Sequence, residues 1–88
     1  MMIKVKTYCY LLECADGSFY CGWTVDPARR LWQHQSGKGS RYTRSRLPVQ
    51  MVYCEQFQDR QQAMRREREI KNMTHAQKFN LGMRTDNG

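Results

Sequence analysis

Four groups of residues have the types and spacing to do chemistry. Glu67 falls inside the apolar arc of a helical pattern marked by Ala63 and Ile70 and flanked by Met64. A carboxylate aimed at a core needs a metal ion or a hydrogen-bond network to hold it there. Its bland alternative is a surface pair with Lys71 at i, i+4. Arg30 and His34 share the same spacing and project from one side of a helix. Taken alone they fit a solvated face. Tyr10 and Tyr20 lie on strand-like segments. With a turn centred on Asp16, Tyr10 sits opposite Gly22 and Leu12 opposite Tyr20, so the two tyrosines are diagonal neighbours on one face. Gly22 is expected to leave open space across from Tyr10, where a ligand could approach; two sheet tyrosines packing together explain the pattern too. The fourth group is a one-sided run of charge. Between Asp26 and Glu55 there is no acidic residue, while Arg29, Arg30, Lys38, Arg41, Arg44 and Arg46 all fall inside. Such a segment suits contacts to phosphate.

Those residues need elements to position them. Residues 8–14 read as a strand, Ala15-Asp16-Gly17 as a turn, and residues 18–24 as the return strand of a hairpin. Asp26-Pro27 opens a helix with Ala28, Leu31 and Trp32 as its apolar stripe and Gly37 at its end. Residues 38–48 form a basic loop closed by Pro48, and Val49 to Phe57 a third strand. A second helix begins at Asp59, with Gln62 in the capping-box position, and runs to about Asn72. Thr74 and Gln77 repeat that signal for a third, followed by a polar, frayed tail from Arg84. The expected fold is α+β, a three-stranded sheet flanked by helices in the order ββαβαα. A length of 88 residues fits one domain, with its core over about 7–82.

The net charge of +7 and a pI near 9.6 favour polyanionic partners. The longest N-terminal apolar stretch, Tyr8 to Leu12, is too short for a signal peptide or a membrane span, so no membrane partner and a cytoplasmic location are expected. Cysteines at 9, 14, 21 and 54 lack zinc-ligand spacing and are expected as reduced, buried strand residues.

In this order, these residues resemble the GIY-YIG nuclease superfamily, its short single-domain bacterial group in particular. The eponymous triplets correspond to Tyr8-Cys9-Tyr10 and Tyr20-Cys21-Gly22, followed by Arg30-x-x-x-His34 and the later helical Glu67. The Ala-Asp-Gly turn, the Gly-Lys-Gly-Ser-Arg-Tyr-Thr-Arg segment and Arg-Arg-Glu followed by Ile-Lys fit the same group. The first triplet lacks its Gly and Ile, and the second has Cys for the middle Ile; both tyrosines remain.

The resemblance implies a metal-dependent endonuclease that hydrolyses phosphodiester bonds, of DNA before RNA, in a context such as DNA repair. Glu67 would hold one divalent cation, Mg²⁺ or Mn²⁺, a role one carboxylate can fill because Mg²⁺ keeps several waters and uses substrate phosphate oxygens. Arg30 would balance charge on the pentavalent transition state. Tyr10 would be the general base, its proton loss eased by a nearby cation or by His34 accepting that proton, with Tyr20 positioning water or phosphate. Lys38, Arg41, Arg44 and Arg46 would touch phosphates and contribute affinity without chemistry. Many relatives carry an added domain for target choice; the resemblance names no target here, and a protein partner is one possible source of that choice. A non-catalytic nucleic-acid-binding module on the same fold explains the charge equally well, but not a carboxylate in the apolar arc.

Overall fold

The computed structural model describes residues 5–85. It contains β1 (Thr7–Glu13), β2 (Phe19–Thr24), α1 (Pro27–Gln35), α2 (Arg41–Arg44), β3 (Gln50–Phe57), α3 (Arg60–Lys71) and α4 (His75–Thr85). The expected α+β order is present, with one addition. The segment that the sequence presents as plain loop holds the single turn α2, started by Ser40, whose side chain accepts from the Thr43 amide. At the other end, α4 continues through Thr85, past the point where the sequence predicts a frayed tail; residues 86–88 lie outside the described residues.

Local chemistry fixes most boundaries. Asp26 accepts from the Arg29 amide and Asp59 from the Gln62 amide, each satisfying a free helical N–H. Thr74 and Gln77 exchange side-chain and backbone bonds, a complete capping box. After α1, Gly37 takes φ +78, which lets its own N–H reach the His34 carbonyl and the Lys38 N–H reach that of Gln33. Gly17, at φ +84, closes the hairpin.

The sheet is antiparallel throughout, in the order β2-β1-β3, with Tyr10 opposite Gly22 and Leu12 opposite Tyr20 as the turn requires. Helices cover both faces. Beneath α3 and α4, Cys9, Leu11, Cys21 and Tyr53 pack with Ile70 and Leu81. On the other face, Tyr10, Leu12, Cys14 and Val49 pack with Leu31 of α1, Tyr42 of α2 and Leu47.

Two expectations about burial need correction. Ala28 and Trp32 do not form the inner stripe of α1: Ala28 is exposed and Trp32 is 59% exposed. The helix turns Leu31 and His34 inward instead, and His34 is buried although polar. Its ring finds hydrogen-bond partners on β1 and α2, which removes the usual penalty for burying it. Nor do the four cysteines share one environment. Cys9, Cys14 and Cys21 are buried free thiols, but Cys14 lies just past the end of β1, and Cys54, on the edge strand β3, is exposed.

Candidate active site

Tyr10 comes from the centre of β1 and is almost wholly buried. Its ring lies over Gly22 on the neighbouring strand. A Cβ on Gly22 would stand 2.7 Å from the Tyr10 Cζ, closer than carbon atoms can pack. The glycine does not leave an opening for a ligand, as its position suggests; the tyrosine itself fills that space.

From α1, His34 reaches the Tyr10 hydroxyl through Nε2 at 3.0 Å and the Thr43 hydroxyl through Nδ1 at 2.8 Å. Only 1% of His34 and none of Thr43 is exposed. The His34 ring also meets Tyr20, with centroids 5.2 Å apart. Tyr20 in turn stacks on Tyr42 of α2 at 6.1 Å. The solvated face that Arg30 and His34 suggest on their own therefore divides in two. His34 is enclosed, and Arg30, one turn earlier, is half-buried beside an open cleft.

That cleft, about 450 Å³, is lined by Tyr10, Tyr20, Arg30 and Glu67 together with Gly22 to Val25 of β2 and its exit. Glu67 belongs to α3, whose buried residues pack on the opposite face of the sheet. It reaches the same cleft by way of the β2 edge. Its side chain is only 18% exposed, and Lys71 lies 3.8 Å from Oε2. So the bland i, i+4 pair also exists, but it is long and its lysine is largely in water, where such pairs contribute little. Hence four of the five residues singled out by type and spacing share one concave surface, and the fifth lies directly behind Tyr10.

Burial sets the protonation states. It pushes the Tyr10 hydroxyl above its ordinary value, with Tyr20 adding to the rise and Arg30 opposing it. It pulls the His34 imidazole below its ordinary value, and Arg30 acts in the same direction. At neutral pH the pair is therefore a phenol and a neutral imidazole. The hydrogen bond to Nε2 gives the Tyr10 proton a direct route to the imidazole.

Of the basic segment, Arg41 and Arg44 are exposed on α2, and Lys38 lies 5.6 Å from the centroid of the exposed Trp32 ring. Arg46, half-buried, is engaged with other parts of the chain. It pairs with Asp16 at 3.0 Å, donates to the Tyr42 carbonyl at 2.9 Å and lies 3.8 Å over the Tyr42 ring. Residue type alone gives Tyr42 and Thr43 no site role, since both look like loop donors among arginines. The available signal was Ser40-x-x-Thr43, a helix-cap spacing that could have turned the segment into an element with an inside and an outside.

No group of three or more His, Cys, Asp or Glu side chains among the described residues could cage a metal ion. One half-buried carboxylate in an open cleft is the donor set that suits a cation keeping most of its waters. Among the same residues, no helix is long and apolar enough to cross a membrane.

Comparison with known proteins gives three consistent findings. A family model described as the GIY-YIG catalytic domain matches residues 6–80. A UPF0213 protein of Streptococcus agalactiae serotype V is 52% identical over 78 residues, covering 89% of each chain. Two solution NMR structures are similar at 45% identity. One is a UPF0213 protein from Bacillus halodurans, with a TM-score of 0.55 over 86% of this chain and 81% of its own. The other is a protein from E. faecalis, with a TM-score of 0.58 over 89% and 83%.

Proposed function

The chain belongs to the GIY-YIG catalytic domain family, and from that premise we propose that it is a metal-dependent endonuclease hydrolysing phosphodiester bonds of nucleic acid, DNA in preference to RNA. The observation that carries this reading is the convergence of Tyr10, Tyr20, Arg30 and Glu67 on one cleft, from two strands and two helices on opposite faces of a sheet. Stability alone gives no reason to collect a phenol pair, a guanidinium and a carboxylate there.

Each residue has a role in that reaction. Glu67 would hold the divalent cation, Mg²⁺ or Mn²⁺, which when bound supplies Lewis-acid charge neutralisation at the phosphate. Arg30 is placed to balance negative charge that grows on the phosphoryl oxygens, as a fixed guanidinium can without reorganising. Tyr10 is the general base: it takes a proton from the attacking water as its own moves to His34 Nε2, 3.0 Å away. Tyr20, held between His34 and Tyr42, orients water or phosphate. Lys38, Arg41 and Arg44 lie on the exposed side of the basic segment and would follow the nucleic-acid backbone; Arg46 would act mainly by fixing α2 to the hairpin turn. The described residues act as a catalytic domain in the cytoplasm, with target choice left to substrate shape or a protein partner.

The test is nicking of supercoiled plasmid with Mg²⁺ or Mn²⁺. Cutting by the wild type and its loss in Glu67→Ala, with the fold intact, are expected. Cutting at the wild-type rate by that variant would remove Glu67 from the site. Binding without cutting by the wild type would leave a nucleic-acid-binding module.

A further inference from the structure

By sequence the 40–43 turn contributes affinity alone, yet its inner side touches the proton path. We infer that Thr43, braced by Ser40, is a positioning residue whose hydroxyl fixes His34 in the Nδ1–H tautomer, leaving Nε2 bare to accept the Tyr10 proton. The inference rests on the nuclease reading for its consequence, but not for its geometry.

A threonine hydroxyl has one proton and two acceptor sites. The Ser40 carbonyl oxygen, which can only accept, lies 3.2 Å from the Thr43 hydroxyl, and the inferred arrangement gives it the Thr43 proton beside the Arg44 amide that it already accepts. Two neighbours then face its lone pairs: the Ser40 hydroxyl at 3.1 Å and His34 Nδ1 at 2.8 Å. Ser40 Oγ already accepts from the Thr43 amide, so its own proton is free to be donated to Thr43. With the Thr43 proton used, the short contact to Nδ1 requires Nδ1 to be the donor. A neutral imidazole carries one N–H, so Nε2 is the acceptor and the Tyr10 O–H donates to it. The opposite tautomer would need the Thr43 proton turned away from the Ser40 carbonyl. That tautomer would also point an Nε2–H at Tyr10, whose own buried O–H would then lose its acceptor on His34.

Gly39 completes the bracket. A Cβ there would strike the imidazole at Nδ1 and Cγ, so the backbone passes flat against the ring. In the proton step, the Tyr10 O–H bond breaks, an Nε2–H bond forms, and the electron pair stays on the phenolate oxygen. The imidazolium formed keeps its Nδ1–H on Thr43, so no second rearrangement is needed. The same turn places Arg41 and Arg44 outward, which joins the phosphate-facing surface to the proton path in one short element.

The experiment is long-range proton–nitrogen correlation NMR on the full chain with ¹⁵N-labelled histidine, above the ordinary histidine pKa. His34 is told from His75 by the His75→Gln variant. Wild type is expected to show a protonated Nδ1 and a bare Nε2 on His34. Thr43→Val keeps the shape and removes the acceptor, so the proton is expected to shift toward Nε2. Thr43→Ser is expected to restore it. In cutting assays Thr43→Val should lower kcat by roughly 10–100-fold, the size of effect known for losing a partner that orients a metal-binding histidine, with KM little changed and with recovery in Thr43→Ser. A wild-type His34 protonated on Nε2 overturns the inference, as does an unchanged tautomer in Thr43→Val. Should the valine variant fail to fold, the wild-type and Thr43→Ser spectra still decide. An Nδ1–H tautomer in a chain that cuts no nucleic acid supports the bracket and sinks the nuclease reading.

Discussion

Beneath α3 and α4, Cys9, Leu11, Cys21, Ile70 and Leu81 make a core of small and aliphatic side chains, and the one large polar member, Tyr53, sends its hydroxyl out to the Glu55–Arg66 ion pair. Beneath α1 and α2, Tyr10, His34 and Thr43 are buried as deeply, yet each carries a polar atom that must be paired inside. The first face stabilises by removing apolar area from water, and it tolerates approximate packing. The second depends on a specific set of donors and acceptors, and no buried side-chain polar atom among the described residues lacks a partner. Glu67 joins the two: its helix is anchored in the first core while the residue itself lines the cleft at the edge of the second.

Substitutions can break that contrast. The largest effect should come from the cleft. Tyr10→Phe is expected to lower the single-turnover cutting rate by about 10²–10⁴-fold, the usual cost of losing a general base. It should also cost about 1–3 kcal/mol of stability, because His34 Nε2 loses its partner in a buried site. A rate within a few-fold of wild type would pass the base role to another group. Leu11→Ala, the adjacent residue on the opposite face, should act on stability alone. It should cost about 2–5 kcal/mol of stability by urea denaturation, with the cutting rate per folded molecule nearly unchanged. If Leu11→Ala lowered the cutting rate per folded molecule as Tyr10→Phe does, the two faces would not be separable.

Gly22→Ala tests the close approach of Tyr10. The added methyl must displace a buried ring, so about 1–3 kcal/mol of stability should disappear together with cutting activity. An active, fully stable alanine variant would mean the ring can move aside freely.

A pH effect is expected to be smaller still. Burial holds the His34 pKa below the ordinary 6.5, so the unfolded chain takes up the proton first as pH falls. Above that ordinary value His34 is neutral in both states and adds no slope. Stability should drop as pH falls from about 6.5 toward the lower folded value and level off beneath it. Comparing urea curves of wild type and His34→Gln across that window isolates the contribution; identical slopes would show that His34 does not titrate differently on folding.

The smallest effect, on affinity alone, belongs outside both cores. Replacing Arg41 and Arg44 by Ala should weaken binding about uniformly across sequences. The slope of log affinity against log salt should flatten by roughly one unit for each phosphate that the protein no longer neutralises. An unchanged slope would move the backbone-binding surface elsewhere and make an acidic protein partner the better account of the charge.

Much of this architecture follows from local chemistry and is legible in the chain. Asp26, Asp59 and the Thr74–Gln77 pair mark helix starts because a side-chain oxygen satisfies amides a few residues away. Asp16-Gly17 sets the hairpin register, and with it Tyr10 opposite Gly22. Glu67 stands out because a carboxylate in an apolar arc conflicts with its surroundings. What the chain alone could not decide was which side of α1 turns inward. Trp32 is the more apolar residue and His34 the more polar, so hydrophobicity favours the wrong side. Only the sheet and α2 supply the two partners that make a buried imidazole cheaper than a buried indole there. For the same reason Thr43 passes as a loop residue, Gly22 as open space and Arg46 as a free cation. Their partners lie 9, 12 and 30 positions away. A residue's type and local spacing tell what it is able to bond; the tertiary structure decides what it is close enough to bond, and at these positions that was the whole difference.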